Sequence, residues 1–261
     1  MSAGHQEMVG PHAPFVLLMP WGRVGSNLVT SALAQRAEVR IQNEPTTRIR
    51  TYGHRRGRSR DHMRDQQFLH LRGVVARAQR TSLVLGLKLS YRSLLAPEAY
   101  LGELSAARFR VVLMVRENAL KCAVSQMRAL ARAQAAQDDA PWQSPWSIGL
   151  TEPKPGPSEI DPEEAIRLTH VFAKMHDQMV ASAQAAFGDA ALVVEYRALA
   201  AEPEATMARI FAHVGLVPPE RIDLLHRKAT SDDLREEIPG YEGFAARVTE
   251  AGLGRFLAPE A

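Results

Sequence analysis

The chain has 261 residues, 46% of them hydrophobic and 23% charged, a balance typical of globular proteins that bury roughly three quarters of their unfolded surface. Its single cysteine, Cys122, excludes an internal disulfide, and no apolar run reaches the ~20 residues of a membrane-spanning helix. The net charge of +3 hides a local excess: Arg48, Arg50, Arg55, Arg56, Arg58, Arg60 and Arg64 meet only Asp61 between positions 48 and 64, leaving the rest of the chain net negative.

The amino terminus, MSAGHQEMVGPHAP, lacks the basic region and apolar core of a secretory signal, so residues 1–13 are expected to be a flexible lead and the location cytoplasmic. Phe15 to Met19 is a short apolar run stopped by Pro20 and Gly22, which predicts a buried strand. A helix follows from Gly25, Ser26 and Asn27 to about Arg36. A strand that passes through a glycine loop into a helix aims unpaired backbone N–H groups and the positive end of the helix dipole at one point, where an anion fits. In isolation these three residues read first as a helix cap.

Glu38 to Gln42 alternates as a half-buried strand does and ends at Asn43-Glu44-Pro45, with the proline expected to keep Glu44 extended. The arginine-rich stretch reads as a solvated loop, and a helical pattern resumes from Asp65 to Gln79. Ser82–Leu89 and Phe109–Val115 are rich in strand formers and enclose a helix from Leu94 to Leu104. Near-continuous apolar strands separated by helices predict an α/β fold, a mainly parallel central sheet covered on both faces. Arg116 stands at the end of the second of these strands, and Ser125 lies on the helix expected from Ala119 to Gln137.

Residues 138–160 hold five of the sixteen prolines and little periodicity. They form a long loop in which Trp142 and Trp146 either cover a substrate or anchor the segment. Asp161-Pro162-Glu163-Glu164 starts a helix running to Phe187, closed by Gly188. Ala191–Tyr196 predicts a further buried strand, Ala205–Val214 a helix, and the tail from Pro219 to Phe256 mostly helix, with a turn or cap at Thr230-Ser231-Asp232.

The loop at 20–27 lacks GxxxxGK[ST], and no lysine lies in the turn. Its wording, Arg23-Val24-Gly25-Ser26-Asn27-Leu28, resembles the 5′-phosphosulfate loop of sulfotransferases that use 3′-phosphoadenosine 5′-phosphosulfate (PAPS). VVLMVRENALKCAVSQMRA resembles that family's 3′-phosphate element, an arginine at a strand end and a serine on the next helix, in the form of its bacterial carbohydrate-type branch. ALVVEYRALAAEPEATMARIFAHVGL resembles its late strand and helix, although Arg197 stands where glutamate is usual, and Arg227 to Phe244 resembles its carboxyl-terminal segment. The resemblance spans about 14–256 and is poorest at 45–80 and 133–160.

The resemblance implies a P-loop NTPase-like sulfotransferase fold over 14–261, one domain with variable loops at about 45–65 and 138–160. It also implies PAPS as sulfuryl donor, adenosine 3′,5′-bisphosphate as product and a hydroxyl- or amine-bearing acceptor. Arg23, Val24, Gly25, Ser26, Asn27, Arg116 and Ser125 are then the donor-binding candidates, Glu44 the general base and Lys88 a contact to sulfuryl group or substrate. Each has a plainer competitor: Glu44 as partner of an arginine such as Arg48, Ser125 bonded to its own backbone, Lys88 as a snorkelling surface residue. No metal is expected, since the nine histidines form no HExxH and no close set with Cys122, and neither is a nucleic-acid partner. A nucleotide or nucleoside kinase and a non-catalytic anion-binding protein on the same fold are the alternatives.

Overall fold

The computed structural model describes residues 13–135, 144 and 146–260. Positions 1–12 and Trp142 lie outside them. The chain begins with β1 (Phe15–Met19), α1 (Ser26–Leu33), β2 (Val39–Asn43), α2 (Pro45–Arg55) and α3 (Arg60–Ala78). It continues through β3 (Val84–Ser90), α4 (Pro97–Ala106), β4 (Arg110–Val115), α5 (Ala119–Ala135), β5 (Ile148–Gly149) and α6 (Pro162–Phe187). β6 (Ala191–Glu195), α7 (Tyr196–Ala201), α8 (Pro203–Val214), β7 (His226–Arg227) and α9 (Tyr241–Glu250) complete it.

Five strands form one parallel sheet in the order β2-β3-β1-β4-β6. Side chains alternate across a strand, so β1 is apolar throughout because both its faces are covered. Phe15, Leu17 and Met19 join Val29, Leu33, Ile210 and Phe211 of α1 and α8 on one side. Val16 and Leu18 join Leu71, Tyr100, Leu101 and Met179 of α3, α4 and α6 on the other. Since every strand of this sheet runs the same way, the loops after β1, β2, β3, β4 and β6 all leave one edge, where such sheets place their ligands.

Four expectations change. The arginine-rich stretch is not a loop: Pro45 supplies the first position of α2, and arginine is a good helix former whose charge stays in solvent. A turn at Gly57 (φ 62°) separates α2 from α3, which Ser59 caps by accepting the His62 amide at 3.2 Å. Glu44 is not extended but left-handed (φ 48°, ψ 50°): the sharp turn from β2 straight into α2 overrides the extended preference that Pro45 imposes. β6 is a half-exposed edge strand, with Val193 facing solvent. The tail is largely irregular, with α9 its one α-helix among the described residues. No helix among the described residues is long and apolar enough to cross a membrane.

Candidate functional site

A cavity of about 580 Å³ opens at the carboxyl edge of the sheet. Its wall includes Arg23, Gly25, Ser26, Asn27, Glu44, Lys88, Arg116 and Ser125, so all but one of the residues singled out from the sequence meet in one space. The exception, Val24, is buried in the core and lines an adjoining cavity of about 680 Å³ that shares Gly22, Arg116 and Tyr196.

The loop after β1 is shaped by two left-handed residues, Arg23 (φ 66°) and Gly25 (φ 78°). A Cβ on Gly25 would sit 2.8 Å from Leu199 Cδ2, the movable end of that side chain, so it is chiefly the left-handed φ that calls for glycine. No side chain caps α1: Ser26 donates its hydroxyl to Met19 Sδ at 3.2 Å, and Asn27 Oδ1 accepts from Lys88 Nζ at 2.5 Å. The plain capping reading of Ser26 and Asn27 therefore fails, and the first turn of α1 is left open toward the cavity.

Lys88 is not a snorkelling surface residue; only 7% of its side chain is exposed. From the middle of the sheet it brings to the turn the ammonium that the turn itself lacks. Its Nζ lies 3.7 Å from Glu44 Oε1, and Thr47 Oγ1 donates to Glu44 Oε2 at 3.2 Å. Glu44 is thus paired with Lys88 rather than with Arg48. Burial lowers the Lys88 pKa, Glu44 opposing and Arg23 adding to the shift.

On the other side of the loop, Arg23 Nε donates to Ser125 Oγ at 2.9 Å and Nη1 to the Trp146 carbonyl at 2.8 Å. Thr230 Oγ1 donates to the same Ser125 oxygen at 3.3 Å. The side chain of Ser125 is therefore turned to the site, not to its own helix backbone. The loop arginine accompanies Arg116 instead of facing Glu44. Arg116 Nη1 donates to the Arg23 carbonyl at 3.1 Å, and its guanidinium lies 4.0 Å over the Tyr196 ring. Its Nε and Nη2 are taken by the Glu260 carboxylate, Nε at 2.9 and 3.1 Å, in an ion pair whose side chains are only 5% and 13% exposed. Enclosure, then the charges of Arg132 and Arg116, lower the Arg23 pKa to about 10. The site is short of negative charge even with Glu260 in it.

The loop before α6 and the tail close the cavity. β5 and β7 pair antiparallel, and around that pairing Trp146, Ser147, His226, Lys228 and Thr230 line the cavity. Tyr196, Thr230, Lys228 and Glu260 are site residues that the sequence reading missed. Tyr196 was legible, since it directly follows a strand of the parallel sheet as Arg116 does. Glu260 carried no signal, because only folding brings it across the 144 residues to Arg116.

No family model matches the chain, and no curated protein matches it. Among solved structures it is similar to a sulfotransferase from Alicyclobacillus acidocaldarius, with 16% identity, 94% of this chain and 95% of that one covered, and a TM-score of 0.48. It is also similar to the sulfotransferase domain of the olefin synthase of Synechococcus PCC 7002, with 12% identity, 80% and 75% covered, and a TM-score of 0.42. A sulfotransferase from Mycobacterium avium gives 14% identity, 94% and 78% covered, and a TM-score of 0.43.

Proposed function

We propose that this cavity binds PAPS and that the protein transfers its sulfuryl group to an acceptor hydroxyl. The observation that carries the reading is the convergence of the motif residues after three strand ends, with Lys88 from within β3, on one cation-rich cavity. Two neighbouring guanidiniums compensated by one carboxylate fit a ligand that brings several negative charges.

In this reading Arg116, Ser125 and Thr230 hold the 3′-phosphate, Arg23 bridges the two phosphate positions, and the open first turn of α1 receives the 5′-phosphosulfate. Glu44 takes the acceptor proton as a new sulfur–oxygen bond forms. The sulfur–oxygen bond to the 5′-phosphate breaks, and its electron pair leaves with the phosphate oxygen. Lys88, held between Asn27 and Glu44, stabilises the negative charge that builds on the leaving phosphate oxygen.

Titration calorimetry with adenosine 3′,5′-bisphosphate and, separately, with ATP and magnesium tests the reading. The bisphosphate should bind, and Arg116→Ala should weaken it by roughly tenfold or more, the loss of a charge-assisted contact. Glu44→Gln should leave that binding intact while lowering kcat by about 10²–10⁴. Binding of ATP with none of the bisphosphate would instead favour a kinase.

A further inference from the structure

Beyond the donor cavity, on the Glu44 side, the rim carries two neighbouring arginines, Arg50 and Arg92. Thr47 lines the cavity beside Glu44, and Arg50 lies three residues on, hence on the same face of α2 about one turn further out. Arg50 Nη1 donates to the Arg92 carbonyl at 2.6 Å. The Arg92 guanidinium lies 3.5 Å over the ring of Trp21, itself a wall residue of the cavity, whose stacked partner Phe172 is 4.8 Å away. The Arg92 amide is tied to the loop after β1 through the Pro20 carbonyl at 3.0 Å.

Arg50 and Arg167 are both near enough to add to the effect of burial in lowering the Arg92 pKa. Arg167 has a carboxylate, Glu164, at 2.6 Å. Arg50 and Arg92 have none among the described residues. Like charges are thus gathered at one rim and held by a carbonyl and an aromatic ring rather than by acids, which costs free energy until an anion arrives. Solvated surface arginines serving only solubility have no reason to be locked in this way.

We propose that the sulfuryl acceptor is itself anionic, its hydroxyl at Glu44 and its carboxylate or sulfate group read by Arg50 and Arg92. The inference rests on the sulfotransferase reading and adds the acceptor class to it. Trp21 links the two ends: it stands in the cavity wall, and Arg92 stacks on its ring.

The test is calorimetry on the full chain saturated with adenosine 3′,5′-bisphosphate, using three disaccharide probes: one bearing glucuronate, one bearing a sulfate ester and their neutral parent. One or both charged probes should bind at least about tenfold more tightly than the neutral one, the worth of one charged hydrogen bond, and the carboxylate and sulfate arms show which anion is preferred. Arg50→Gln combined with Arg92→Gln should remove that preference, and Arg92→Lys, which keeps the charge, should restore part of it. Raised salt should erode the preference because the rim is exposed. Equal binding of charged and neutral probes, no binding of any probe, or a preference that survives the double substitution overturns the proposal. If the bisphosphate itself fails to bind, the donor reading falls instead.

Discussion

Glu260 shows how one side chain governs the affinity of a whole site. Its carboxylate occupies the guanidinium fork of Arg116 that a 3′-phosphate would need, so it competes with the nucleotide on equal terms of chemistry. Glu260→Gln removes the charge and should tighten adenosine 3′,5′-bisphosphate binding by about tenfold in calorimetry. Weaker binding would mean that Glu260 holds Arg116 in the position the nucleotide needs rather than competing for it. Glu44 was legible because a strand end beside a glycine loop is where parallel sheets gather chemistry. Its left-handed backbone was not, since Pro45 favours an extended residue before it and only the immediate turn into α2 forces the other form.

Among the elements, β1, β3 and β4 were read most directly, because a row of buried, mainly apolar residues leaves few alternatives. The basic stretch was misread for a physical reason: its charge advertises solvent exposure but says nothing of backbone form, which Pro45, Ser59 and the packing of Gly53 against Met63 decide. Two glycines separate the scaffold from the site. A Cβ at Gly86 of β3 would lie 2.3 Å from Phe15 Cζ, whose ring is fully buried, so Gly86→Ala should cost about 1–3 kcal/mol of stability. The urea midpoint should fall with its slope unchanged. Gly25→Ala meets only the flexible end of Leu199 but forces a left-handed alanine into the loop. Nucleotide affinity should drop there by more than the urea midpoint would suggest, because the amides aimed at the ligand move.

At the scale of the molecule, two part-buried histidines couple stability to pH. His70 reaches Gln42 Oε1 at 2.7 Å, and His213 donates from Nε2 to the Val111 carbonyl at 2.9 Å. Burial lowers both pKa values below 6.5, so the unfolded chain binds protons that the folded chain refuses. Their contribution is complete above pH 6.5 and is lost as pH falls below it. The melting temperature should therefore decrease from pH 7.5 to pH 5.5, and His213→Gln should flatten that slope; an unchanged slope would show that His213 titrates alike in both states. The parallel sheet and its ligand edge were legible from the alternation of apolar strands with helices. The tail was not, because its course is set by buried contacts with α5 and the turn before it, such as the Arg128–Glu237 ion pair and the 2.9 Å bond from Asn118 to the Phe256 carbonyl.

The two-residue pairing of β5 with β7 closes over the cavity, joining positions 148–149 to 226–227. So short a ladder contributes few backbone bonds against the entropy of closing so long a loop. The rest of the fastening is supplied from inside, by Arg23 gripping the Trp146 carbonyl and Ser125 accepting from Thr230. A nucleotide that engages Arg23 and Ser125 must loosen or re-form those same ties, so the fastening and the cargo share their latches. How long the product stays is then decided by the clip above it as much as by the phosphate contacts beneath.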